Sequence, residues 1–195
     1  MTIDSRTEHA EEIERWHITF EKLFGKVADF SDIVIPAKPE GLGPMRLVIV
    51  PTEIAAWTIL RPLQGTMDAL KKHFPTWQYA VDLEDMFPGY HLNLNGDSYA
   101  FWVQDIQEAR EATAVEGGVV LAHKDINLLE RMLLEADYFF EHGKHLDMEN
   151  VTLCAASRDH EGMIPNADWF GEKFCVTWSS PSSCDETLSS RSTYF

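Results

Sequence analysis

The stretch that most constrains this chain is residues 125–142, DINLLERMLLEADYFFEH. Leu128, Leu129, Met132, Leu133, Ala136, Phe139 and Phe140 recur at steps of three and four, so a helix gathers them on one broad apolar face. Glu130, Arg131, Glu135 and Asp137 fall on the opposite face. Asp125 is placed to serve as the N-cap, and Gly143 stands where a left-handed C-terminal residue belongs. A helix with so wide an apolar face has to be pressed against another layer, and the rest of the sequence supplies strands for it.

Residues 7–28 predict a second amphipathic helix, with Ile13, Trp16, Phe20, Leu23, Phe24 and Val27 inward and Thr7 or Ser5 as its cap. Met45 to Val50 (MRLVIV) and Ser98 to Val103 (SYAFWV) are β-branched and aromatic runs that read as strands. Residues 52–74 predict two helical pieces, broken near Pro62 or Gly65 and stopped by Pro75. Trp77 to Val81 is a weaker strand, and Asn95-Gly96-Asp97 signals a turn. Asp105 to Ala114 predicts a short helix closed by Gly117-Gly118. Val151 to Ala156, Ala167 to Phe170 and Phe174 to Trp178 read as strands, the last two joined at Gly171-Glu172 in a hairpin. Residues 179–195 are rich in Ser and Thr and predict a flexible tail or a surface strap. Helices and strands mix without a regular βαβ alternation. The expectation is one α+β domain, a mixed or antiparallel sheet packed by the helices at about 125–142 and 7–28.

With 195 residues, the chain is long enough to bury roughly 70% of its unfolded surface, so a core can form without disulfides. Its formal net charge of −16 argues against gripping a phosphate backbone or an anionic membrane surface. A basic or neutral partner is compatible with it. No apolar run approaches the ~20 residues that span a bilayer. The N-terminal MTIDSRTEHAEEIE is polar and acidic, unlike a targeting leader, and the three cysteines (Cys154, Cys175, Cys184) are an odd number. A cytoplasmic location with free thiols is expected.

The acidity is uneven. Residues 81–116 hold eight acids against the single base Arg110, which suggests a docking face built on Glu84, Asp85, Glu108 and Glu111. Of six tryptophans, Trp102 and Trp178 lie in predicted strands and belong to the core, whereas Trp57 and Trp77 flank less apolar segments and suit a pocket or an interface.

The densest set of possible metal ligands follows the long helix: His142, His145 and Asp147, with His160 further on. A mixed His and carboxylate set suits a divalent transition metal in a hydrolytic centre. The competing reading is that His142 and His145 complement the helix dipole at its C-terminal end. Cys154 sits between Leu153 and Ala155, the setting of a small buried hydrophobe rather than of a nucleophile. The glycine-rich phosphate cradles, the serine-nucleophile elbow, HExxH and CxxC are all missing.

The run Leu128-Leu129-Glu130-Arg131, continuing to Gly143-Lys144-His145-Leu146-Asp147 and Val151-Thr152-Leu153-Cys154, resembles a family of uncharacterised bacterial proteins of about this size. They share a similar helix, GKHLD-like turn and TLC-like strand. The resemblance implies a common design around that turn and no activity. The leading expectation is a binding module for a basic protein or a small ligand, acting through the acidic face or a Trp-framed cleft. A metal-dependent hydrolase at His142, His145 and Asp147 is the alternative, and an acidic mimic of nucleic acid is the third.

Overall fold

The structure is a computed structural model that describes residues 9–87, 98–111, 124–159, 161–180 and 187–195. The elements run α1 (Ala10–Phe24), β1 (Met45–Val50), α2 (Ile54–Trp57), α3 (Pro62–Leu70), β2 (Thr76–Gln78), α4 (Leu83–Met86), β3 (Tyr99–Gln104), β4 (Arg110–Glu111) and β5 (Lys124–Asp125). They continue through α5 (Leu128–His142), β6 (Val151–Leu153), β7 (Ile164–Phe170), β8 (Lys173–Ser179), β9 (Leu188–Ser190) and β10 (Ser192–Thr193). This is the α+β class expected.

A six-stranded sheet has the order β2-β8-β7-β6-β9-β4, with β2 parallel to β8, β6 parallel to β9, and the other pairings antiparallel. A separate antiparallel ribbon pairs β1 with β3, and β5 pairs with β10. Helix α5 touches β7 of the large sheet as well as β1, α1 and α3. It is therefore walled in on several sides, and every residue from Leu128 to Asp137 is buried. That overturns the simple division of α5 into a core face and a water face. Glu130, Arg131, Glu135 and Asp137 are inside because each meets a partner there: Tyr99 for Glu130, Asp147 and Glu135 for Arg131, His145 for Glu135, and Arg15, Arg46 and Thr19 for Asp137.

The cap of α5 is Asn127 rather than Asp125. The Asn127 side chain accepts from the Glu130 N–H, and Glu130 returns a carboxylate to the Asn127 N–H at 2.8 Å. This reciprocal pair satisfies two of the helix's otherwise unpaired donors. Asp125 is instead in β5. At the other end Gly143 adopts φ +62, the left-handed geometry that lets its N–H return to the Phe139 carbonyl.

Other expectations shift in detail. Helix α1 stops at Phe24, earlier than expected, where Gly25 caps it, and the proposed caps Ser5 and Thr7 lie outside the described residues. The break in 52–74 comes before Pro62, at Ile59 and Leu60, both with positive φ. Residues 105–109 are not helical, and Arg110–Glu111 form a strand. Tertiary bonds compete with a helix there: Asp105 accepts from Arg46, and Glu108 accepts three backbone N–H groups of residues 148–150. The Asn95–Asp97 turn, Gly117-Gly118, His160 and Cys184 lie outside the described residues.

Residues 187–195 are built into the fold. β9 and β10 join the sheets, the backbone of Tyr194 exchanges hydrogen bonds with Trp102, and Arg191 is buried. Trp102 is in the core, its indole N–H donating to the Pro36 carbonyl at 2.9 Å. Trp178 is not in the core; it is half-buried against Tyr79. Among the described residues no helix is long and apolar enough to cross a membrane.

Candidate functional site

Strands β7 and β8 are joined by Gly171 and Glu172, both at positive φ, the backbone of a two-residue hairpin turn. That turn fixes the register: Asp168 opposes Cys175, Phe170 opposes Lys173, and Asn166 opposes Thr177. Side chains alternate between the two faces of a strand. Ala167, Trp169, Phe174 and Val176 therefore face the core, and the intervening residues face outward. Strand β2 adds alongside, with Trp77 next to Cys175. Trp77, Asp168, Phe170, Lys173, Cys175 and Thr177 line a cleft of about 380 Å³ on this outer face.

Its walls are aromatic and its one acid is Asp168. Trp77 is 43% and Phe170 73% exposed, whereas Asp168 is half-buried. The Asp168 carboxylate has no hydrogen-bond partner among the described residues. Burial pushes its pKa up to about 6, against the pull of Arg131 and with the push of Asp147. A carboxyl whose pKa is raised on folding binds its proton more tightly in the native state. Its ionised form thus costs stability as pH rises from about 3.9 through 6. Asp168→Asn is accordingly expected to raise the melting temperature at pH 7.5, with the gain shrinking to nothing near pH 4. Thermal unfolding at the two pH values checks this.

The residues singled out from the sequence have more varied positions. Trp77 is in the cleft, but Trp57 is not: it packs on Phe20 and Phe24, with ring centroids 5.7 and 5.6 Å away. Glu84 belongs to no open acidic surface. Its carboxylate accepts the N–H groups of Leu63 and Gln64, at 2.5 and 2.9 Å, and so caps α3 from across the fold. Glu108 clamps the loop at 148–150, as described above. Asp85 is exposed, and Glu111 stands in β4 opposite Ser189.

The three candidate metal ligands at and beyond the end of α5 go to different tasks. The His142 ring lies against Tyr138 and 2.8 Å from the Arg46 guanidinium. His145 contacts Glu135 through Nδ1 at 2.9 Å and stacks on Trp169. Asp147 is fully buried, accepting from Arg131 Nε (3.0 Å), Arg191 (2.6 Å), Thr152 (2.5 Å) and the Ala109 N–H (2.8 Å). Burial pushes the Asp147 carboxyl up, but Arg191 and Arg131, with the hydrogen bonds from Arg191 and Thr152, hold it below the usual range. Among the described residues no group of three or more His, Cys, Asp or Glu is arranged to hold a metal ion. His160, the fourth candidate, lies outside them.

No family model, curated protein or solved structure matches this chain. The site therefore has to be read from its own chemistry. Cys154 is fully buried and burial raises its thiol pKa, as expected of an inert core cysteine. Burial also raises the Cys175 thiol on the cleft floor, so it offers little thiolate near neutral pH. Asp168, Phe170, Lys173 and Thr177 are cleft residues not singled out from the sequence. The signal for them was present: a two-residue turn at Gly171-Glu172 fixes strand parity, which places Asp168 and Phe170 on one face with Cys175.

Proposed function

We propose that this protein is a binding module that takes a small ligand in the Trp77–Asp168–Phe170 cleft and performs no covalent chemistry on it. The observation that carries this reading is a carboxylate with no hydrogen-bond partner among the described residues, lining one cleft with exposed aromatic side chains on the outer face of the sheet. Ligand sites are typically concave and mostly apolar, with a few polar groups that fix orientation, and about 380 Å³ is within their usual size. The rival reading, a basic protein docked on the acidic segment, loses support because Glu84 and Glu108 are occupied with backbone N–H groups of their own chain. A metal-dependent hydrolase loses support in the same way, since Asp147 is saturated by two arginines and Thr152.

The test is a fragment screen followed by amide NMR shifts. Fragments that bind are expected to move the amides of Gly171, Lys173 and Cys175 and to lose that effect in Trp77→Ala. If the hits leave those amides unmoved, or behave alike on the variant, the cleft is not the binding site.

A further inference from the structure

Resting on that reading of the cleft, we infer that its ligand class is a hydrophobic organic cation, a protonated amine carrying an aryl or alkyl group. The charge comes first. Asp168 is the one carboxylate in the cleft, and closing an apolar ligand over it removes water from an ion with no hydrogen-bond partner among the described residues. A neutral ligand leaves that desolvation uncompensated, and an anion makes it worse. An ammonium group supplies the missing counter-charge and up to three donors.

The walls agree with the floor. Trp77 and Phe170 expose aromatic surface on the same cleft, and the negative face of an aromatic ring attracts a cation, tryptophan most strongly. The surplus of acids over the whole chain raises the local concentration of cations around it.

The other charges facing Asp168 can be named. Arg131 of α5 attracts it through space and Asp147 repels it, and these two are already paired with one another, Arg131 also with Glu135. From β8 come the Cys175 thiol and Lys173, and β2 contributes Trp77. Lys173 is exposed at the rim on a flexible stem, which keeps its ammonium in water rather than on the cleft floor. It opposes a cation weakly and would favour a ligand bearing a carboxylate, so it separates a simple amine from a zwitterion.

The experiment uses three probes of one shape: 2-phenylethylammonium, 2-phenylethanol and phenylacetate. Each is titrated into the full chain at pH 7.5 and low salt, with the Gly171, Lys173 and Cys175 amides as readout. The ammonium is expected to bind at least about tenfold tighter than the alcohol, and phenylacetate more weakly than either. Asp168→Asn should bring the two to about the same affinity, weakening the ammonium and, with no ion left to desolvate, tightening the alcohol. Lys173→Gln should tighten the ammonium severalfold. Lowering the pH to 5 should weaken it about tenfold, as the carboxyl with a pKa of about 6 gains its proton. Equal binding of ammonium and alcohol, or indifference to Asp168→Asn, overturns the cation assignment and leaves the cleft reading standing. Tightest binding by phenylacetate, or loss of the ammonium in Lys173→Gln, overturns it in favour of a ligand held by Lys173. If none of the three moves the cleft amides, both readings fall.

Discussion

Asparagine in place of Asp147 is expected to lower the free energy of unfolding by about 3–5 kcal/mol, the usual cost of removing one partner from a buried ion pair. Asp147 lies at the centre of a buried charged seam. Arg131 donates to it from α5, Arg191 from between β9 and β10, and Thr152 from β6, while its backbone N–H bonds the Gln107 carbonyl. Without its charge, the hydrogen-bond acceptors left among the described residues are the carbonyls of Ile106 and Gln107 for Arg191 and Glu135 for Arg131. Asparagine is the informative choice because Asp147 has φ +54, a conformation that Asn tolerates and most other side chains do not. The substitution thus removes charge without adding backbone strain. A carboxyl held below its ordinary pKa stabilises the native state above the unfolded value of about 3.9, and that contribution is lost as pH falls towards the native value. The gap between wild type and Asp147→Asn, measured by urea unfolding, should therefore persist from pH 7 to about 5 and close below about 3.9. Adding Arg191→Met should recover part of the loss, giving a coupling energy of about 2 kcal/mol or more. A gap that ignores pH, or two changes that simply add, would mean that Asp147 acts through packing and not through charge.

That seam marks where the sequence stopped being informative. The apolar stripe of α5 was legible because it is local: residues three and four apart are neighbours on any helix. The Asn127–Glu130 capping box is equally local, an N-x-x-E pattern ahead of the apolar run, although Asp125, two residues earlier, is also a residue type that caps helices. The charged side of α5 was not legible. The spacing of Glu130, Arg131, Glu135 and Asp137 is the same whether water or arginine faces them. Asp137 accepts from Arg15, Thr19 and Arg46, at sequence separations of 122, 118 and 91 residues, and no periodicity reports such a meeting. The same limit applied to Glu84 and Glu108, whose carboxylates are used on backbone N–H groups about 20 and 40 residues away. Counting acids along a segment cannot separate a docking face from a set of caps. In the cleft the balance was different. Trp77 was visible by its surroundings, and Asp168 and Phe170 were within reach of strand parity once the hairpin was recognised.

Gly65→Ala is expected to destabilise the protein by about 1–3 kcal/mol, although glycine sits in the interior of α3 and alanine is the better helix former by about 1 kcal/mol. Two effects compete, and the geometry decides between them. A Cβ on Gly65 would run into the Thr58 Cβ and come within 2.6 Å of its Cγ2 and 3.2 Å of its Cα. Thr58 has little freedom to retreat, because its hydroxyl donates to the Ile54 carbonyl at 2.6 Å and its N–H to the same carbonyl at 2.9 Å. The residues that follow are already constrained: Ile59 and Leu60 have φ of +55 and +62, and Leu60 is tied to the Ala55 carbonyl. Positive φ is costly for a β-branched residue and persists only where its surroundings enforce it. Pushing Thr58 away therefore disturbs a strained turn with few other conformations open to it, and the propensity gain is too small to offset that. The double-mutant cycle makes the argument quantitative. In a Thr58→Gly background the two closest atoms are gone, and Gly65→Ala should become close to neutral or mildly stabilising, so the two substitutions couple by at least about 2 kcal/mol in urea unfolding. If Gly65→Ala costs the same with or without the Thr58 side chain, the clash is not what keeps glycine there.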